Sequence, residues 1–224
     1  MNVIRFPNSE AAAQACGMRI LDLLRAAGSS AALAISGGSS PKLMFEFFAR
    51  TMFPWERVHL FWVDERVVPP DDPQSNYKLA KDAWLKPAGF PESNIHRVKA
   101  ELGAAEAARL YEEDIRAHFQ LRPGELPKFD VIHRGMGPDG HTASLFPGDS
   151  HLDDHTGIAA SLWVEKMQQW RVTLLPGVLE SARRTVLLVT GSDKKQVLDQ
   201  VLEDNAPTRY PIQIASRDAD WYVA

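Results

Sequence analysis

Cys16, Ile20, Leu23, Leu24 and Ala27 recur at i, i+4, i+7, i+8 and i+11, the spacing of one buried helical face. Asn8 or Ser9 can cap that helix, and Gly28 ends it. Beyond it the pattern changes to short apolar runs: AALAIS at 31–36, VHLFWV at 58–63, FDVI at 129–132 and TVLLVT at 185–190. Stretches predicted to be helical lie between and after them, at 41–50, 76–85, 104–119 and 193–202. Strands apolar on both faces, separated by helices, predict an α/β chain: a three-layer α/β/α sandwich with a mostly parallel, Rossmann-like sheet. Residues 1–224 read as a single domain, without internal repeat, low-complexity tract or linker. The Pro-rich piece VVPPDDPQSN at 67–76 reads as a functional loop.

Composition narrows the partners. The chain has 224 residues and a net charge of -4, so no global positive field attracts nucleic acid or an anionic membrane, and an anionic ligand needs local cations. One cysteine, Cys16, excludes an internal disulfide and a cysteine zinc cage, and fits a reducing compartment, the cytoplasm. The start MNVIRFPNSE lacks an apolar signal core, and no apolar run is long enough to span a bilayer. A monomer is the simplest expectation.

In open α/β sheets ligands bind where loops leave the carboxyl ends of strands. Four such loops carry unusual residues: 36–40 (SGGSS), 64–66 (DER), 135–141 (GMGPDGH) and 191–194 (GSDK). SGGSSP opens a helix with Pro41 in its first turn, so its backbone N–H groups can meet an anion at the positive helix end; an ordinary tight turn uses the same residues. It is not a nucleotide P-loop. GMGPDG fits GxGxxG only superficially, because no acidic residue ends a following strand and Pro147 and Gly148 stop any helix. A turn carrying Asp139 and His141 suits acid–base chemistry, since imidazole titrates near neutrality, although a lone histidine is more often structural. HLDDH at 151–155 offers two histidines four apart, a metal pair if helical and otherwise a solvated loop. Ser144 has no GxSxG elbow and no obvious triad partner. Arg171 and Lys194 are single cations near predicted strand ends, as surface charges commonly are.

Taken together, AISGGSSPKLMFEFFA, VHLFWVDERVVPPDDPQSNYKLAKDAWL, FDVIHRGMGPDGHTASLFPG, WRVTLLPGVLESAR and VLLVTGSDKKQVL resemble the 6-phosphogluconolactonase family, which shares a superfamily with glucosamine-6-phosphate deaminases. DGHTASLFP separates the two, because the deaminase side looks like DGHIAFNEP, and DER replaces a deaminase-like DEY. The resemblance implies hydrolysis of 6-phospho-D-glucono-1,5-lactone to 6-phospho-D-gluconate in the oxidative pentose phosphate pathway, with no metal or other cofactor. It implies His141 as general base, Asp139 as its positioner, and Gly37, Gly38 and Ser39 with Arg171 and Lys194 as the phosphate site. Asp64 and Arg66 would orient sugar hydroxyls or phosphate. The chain departs from the family pattern at His133 and Arg134, where relatives carry apolar residues; Arg134 is expected to reach solvent, a carboxylate or the site, or to mark an edge strand. The rivals are a deaminase or isomerase on the same fold and a non-catalytic sugar-phosphate sensor.

Overall fold

A computed structural model describes residues 1–203 and 210–224. Strand β1 (Asn2–Arg5) leads to Asn8, whose side chain accepts the Ala11 N–H at 2.9 Å and starts helix α1 (Ser9–Ala26). Next come β2 (Ala31–Ile35), α2 (Ser39–Ala49), β3 (Val58–Trp62) and the short β4 (Asp64–Arg66). Helix α3 (Asn76–Ala80) runs into a π turn at Lys81–Leu85, and β5 (Ile95–His96), α4 (Ala104–Phe119) and β6 (Val131–Arg134) follow. The chain continues through β7 (Ala159–Val164), β8 (Gln169–Leu174), α5 (Pro176–Ser181), β9 (Thr185–Val189), α6 (Lys195–Leu202) and β10 (Asp220–Val223).

Seven strands form one sheet in the order β1-β10-β9-β6-β2-β3-β5, with every pairing parallel. Residues alternate between its faces: Val186 and Leu188 of β9 join the core under α1, α2 and α3, whereas Leu187 and Val189 pack on the opposite side with α6. Each such side chain, fully withdrawn from water, contributes about 1.5–3 kcal/mol. The side of α4 and α5 also holds a three-stranded antiparallel sheet, β4-β8-β7, which the apolar runs do not announce. No helix among the described residues is long and apolar enough to cross a membrane.

Chain order reverses between β2 and β6: the chain moves outward through β3 and β5, then returns to lay β6, β9 and β10 on the other side. The four unusual loops leave β9, β6, β2 and β3, which are consecutive in the sheet, so topology alone gathers them at one end.

Strand β6 occupies 131–134 rather than the expected 129–132, and its central place removes the edge alternative for Arg134. Among the described residues Arg134 reaches neither solvent nor a carboxylate: it is 0% exposed, Nη2 donates to the Ile214 carbonyl at 2.5 Å, and Nε and Nη1 have no partner there. Pairing with β2 and β9 fixes the strand whatever its side chains, so His133 and Arg134 are carried inside. Burial pulls the Arg134 guanidinium down to about 9, and burial together with Arg134 pulls His133 down to about 3.

Candidate active site

Strand β2 ends at Ile35, and the chain turns through Ser36-Gly37-Gly38 into α2. Gly38 holds a φ of 118° as the residue before the helix, a conformation open to glycine and poorly open to other residues. At Gly37 the constraint is space, since a β-carbon there would sit 2.0 Å from Asn76 Oδ1. The first turn of α2 contains no acidic residue, which leaves the positive end of the helix uncompensated. Ser36 Oγ and Asn76 Oδ1, both buried, have no partner among the described residues.

Asn76 opens α3 and donates Nδ2–H to the Asp64 carbonyl at 2.9 Å. Glu65 fixes this corner: its carboxylate accepts the backbone N–H groups of Arg66, Asn76 and Tyr77 at 2.7–2.8 Å and the Ser75 hydroxyl at 3.1 Å. Burial pushes the Glu65 carboxyl up, against those three N–H groups. Asp64 Oδ2 accepts the Ser144 hydroxyl at 2.7 Å and lies 3.7 Å from Arg171 Nη1.

Antiparallel pairing of β4 with β8 sets Arg66 directly opposite Arg171. Two like charges across a ladder repel, and such a pair is stabilised when an anion lies between or beside them. Arg66 donates to the Gln74 carbonyl at 2.6 Å; its Nε and that of Arg171 have no partner among the described residues, and Arg171 Nη2 contacts Met167 Sδ at 3.5 Å. Burial lowers the Arg171 guanidinium from its ordinary value, Asp64 counters that, and Arg66 adds to it.

After β6, the 135–141 turn folds His141 back over Gly137, where a β-carbon would stand 2.0 Å from His141 Cε1. Any side chain at 137 would displace the imidazole. The ring packs against Phe146, centroids 4.3 Å apart and planes tilted by 31°, and Nδ1 lies 2.5 Å from Asp139 Oδ1, while Asp139 Oδ2 receives the Lys166 ammonium. Burial alone would raise the Asp139 carboxyl, but the Lys166 and His141 hydrogen bonds outweigh it and bring it to about 2. An ionised Asp139 can only accept, so Nδ1 carries the proton and Nε2 keeps its lone pair. Burial lowers the His141 pKa, partly offset by Asp139.

A polar cleft of about 220 Å³ collects these parts: Gly37, Gly38, Ser39, Asp64, Arg66, His141, Arg171 and Lys194 all line it. Burial pushes the Lys194 ammonium down, with Asp193 opposing. Asp139 is the one expected site residue outside the lining; it stands behind the ring, beside a separate hollow under Trp163 and Trp170.

Three residues were not anticipated. Asn76 lines the cleft, Lys166 clamps Asp139 from 27 positions away, and Glu65 fixes the corner that carries Asn76. Asn76 ends the Pro-rich loop, which is a usable signal; the Lys166 contact has none in the sequence. Ser144 is 0% exposed, and its hydroxyl serves Asp64 rather than a histidine. His151 and His155 each pair with a different carboxylate, Asp149 and Glu180, both at 2.8 Å, and so do not form the metal pair that HLDDH offered.

Known proteins resemble the whole arrangement. A family model described as glucosamine-6-phosphate isomerases/6-phosphogluconolactonase matches residues 7–223. A 6-phosphogluconolactonase of Synechocystis is 40% identical over 181 residues, covering 80% of this chain and 75% of the relative. One from Haemophilus influenzae is 32% identical over 233 residues, covering 100% and 97%. The solved 6-phosphogluconolactonase of Trypanosoma cruzi superposes with a TM-score of 0.89 at 25% identity, covering 99% of this chain and 93% of that one.

Proposed function

The chain belongs to the glucosamine-6-phosphate isomerase/6-phosphogluconolactonase family, and from that premise we propose that it hydrolyses 6-phospho-D-glucono-1,5-lactone to 6-phospho-D-gluconate with His141 as general base. One observation carries the reading: a His141 oriented by Asp139 shares a small cleft with Arg66, Arg171 and Lys194 and with the uncapped start of α2. Such a cleft offers a base at one wall and a dianion site at another.

His141 Nε2 takes a proton from water as the water oxygen bonds to lactone C1, and the carbonyl electron pair moves onto the carbonyl oxygen. When the tetrahedral intermediate collapses, the C1–ring oxygen bond breaks and the imidazolium returns its proton to the departing oxygen. Backbone N–H groups of the glycine-rich turns stabilise the transient oxyanion, each such donor being typically worth about 3 kcal/mol. Asp139 holds the ring and its tautomer. Gly37, Gly38 and Ser39 hold the phosphate with Arg171 and Lys194, while Asp64 and Arg66 orient hydroxyls or phosphate oxygens.

Residues 1–224 act as one domain in this reading, supported by β1 and β10, which draw both ends into one sheet. The reading takes the chain as a monomer, and the net charge of -4 argues against a nucleic-acid partner. The test is hydrolysis of freshly made lactone in EDTA, with spontaneous opening subtracted, beside ammonia release from glucosamine 6-phosphate. Lactone turnover without ammonia is expected; ammonia without lactone turnover would favour the deaminase chemistry of the same family.

A further inference from the structure

A cluster of three histidines stands at the β5 edge of the sheet, on the α4 side and outside the lining of the cleft. His59 is the second residue of β3, and Asp64 lies five residues further on, about 16 Å along an extended chain. His59 and Phe61 share one face of β3, and β5 places His96 beside Phe61, where the two rings stack at 4.2 Å and 5°. Helix α4 crosses that face with Asp114 and His118, one helical turn apart, on the side toward it. His59 Nδ1 lies 3.1 Å from His96 Nε2, and one ligating atom from each of His59, His96 and His118 lies within 4.8 Å of the other two. All three are half-buried.

Tetrahedral zinc holds its nitrogen ligands about 2.0–2.1 Å away and hence about 3.3 Å from one another, close to the His59–His96 separation. Asp114 supplies the second requirement. Its carboxylate oxygens lie 3.0 and 3.1 Å from His96 Nδ1, which places the proton on that nitrogen and turns the Nε2 lone pair into the cluster.

We infer that His59, His96 and His118 form a binding site for one divalent transition-metal ion, Zn²⁺ foremost, with Asp114 as the carboxylate behind His96. The fourth position is left to water. Imidazole donors without thiolate or a carboxylate cage select Zn²⁺, Cu²⁺ or Ni²⁺ over Mg²⁺ and Ca²⁺. The ion would tie the two-residue edge strand β5 to β3 and α4, a stabilising role apart from the lactone chemistry.

The experiment is calorimetric titration of the EDTA-stripped full chain with Zn²⁺, repeated on His59→Gln, His118→Gln and Asp114→Asn, with circular dichroism to verify folding. Binding of one Zn²⁺ per chain is expected, weakened at least ~10-fold in either histidine variant and roughly 10- to 100-fold in Asp114→Asn. Co²⁺ in place of Zn²⁺ should give the intense visible bands of a four-coordinate site. Having both His59→Gln and His118→Gln keeps the test usable if one fails to fold. No Zn²⁺ uptake by the folded wild type up to ~0.1 mM, or uptake unchanged in the histidine variants and lost instead in His141→Ala, would overturn the assignment. Neither result bears on lactone hydrolysis, which is assayed in EDTA.

Discussion

Arg171→Met isolates the phosphate site. The Arg171 side chain is 7% exposed and stands 3.7 Å from Asp64 and across the ladder from Arg66. In surroundings of effective dielectric ~20, a unit negative charge ~4 Å from a guanidinium is held by ~4 kcal/mol before desolvation is deducted. Truncating one partner of a buried, hydrogen-bonded charge pair costs about 2–5 kcal/mol, or roughly 30- to 5,000-fold. The expected loss in kcat/KM for the 6-phosphorylated lactone is of that order. Part of any loss could arise from Asp64, which forfeits its cation. The assay separates the two by running glucono-1,5-lactone without phosphate in parallel: a phosphate ligand predicts a large loss on the phosphorylated substrate and little on the other. Equal losses on both would refute the reasoning and make Arg171 a support for Asp64. Unchanged kinetics on both would remove it from the site.

Gly137→Ala should cost at least ~100-fold in kcat, since a β-carbon 2.0 Å from His141 Cε1 displaces the base; steady-state kinetics beside a melting curve checks this, and full activity in a folded variant would contradict the packing. The base acts when neutral, so kcat/KM should fall as pH drops through the His141 pKa, and burial places that acid limb below 6.5. Because Asp139 raises that pKa, Asp139→Asn should move the limb lower still and reduce the plateau; a limb at or above 6.5 in the wild type would refute the account. Arg134→Met removes a fully buried guanidinium with two nitrogens unpartnered among the described residues, and replacing such a charge with an apolar side chain of similar size is expected to stabilise by about 1–4 kcal/mol. The loss of its bond to Ile214 subtracts about 1 kcal/mol; a lowered melting temperature would show that Arg134 has a partner of another kind.

The sequence revealed most where burial is symmetrical. AALAI, VHLFW and TVLLV are apolar on both faces, and those strands lie at the centre of the parallel sheet. β1 escaped notice because its residues are mostly exposed, and β4 because three residues carry no period. At β6 the apolar run FDVI is offset by two residues from the strand, since pairing to β2 and β9 overrides the polarity of His133 and Arg134. Much of the cleft was readable through the strand-end rule, which gathered SGGSS, DER, GMGPDGH and GSDK before any geometry was known. What it missed is contact between distant positions: Lys166 on Asp139, Asn76 against Gly37, and the three histidines that β3, β5 and α4 bring together.

The most direct measurement of the central claim is the rate of hydrolysis of fresh 6-phosphogluconolactone by wild type and His141→Ala in EDTA, corrected for spontaneous opening, with 6-phosphogluconate affinity measured on both. The account predicts turnover reduced at least ~100-fold in the variant with product affinity retained. Near-wild-type turnover in His141→Ala would contradict it and move the base elsewhere in the cleft.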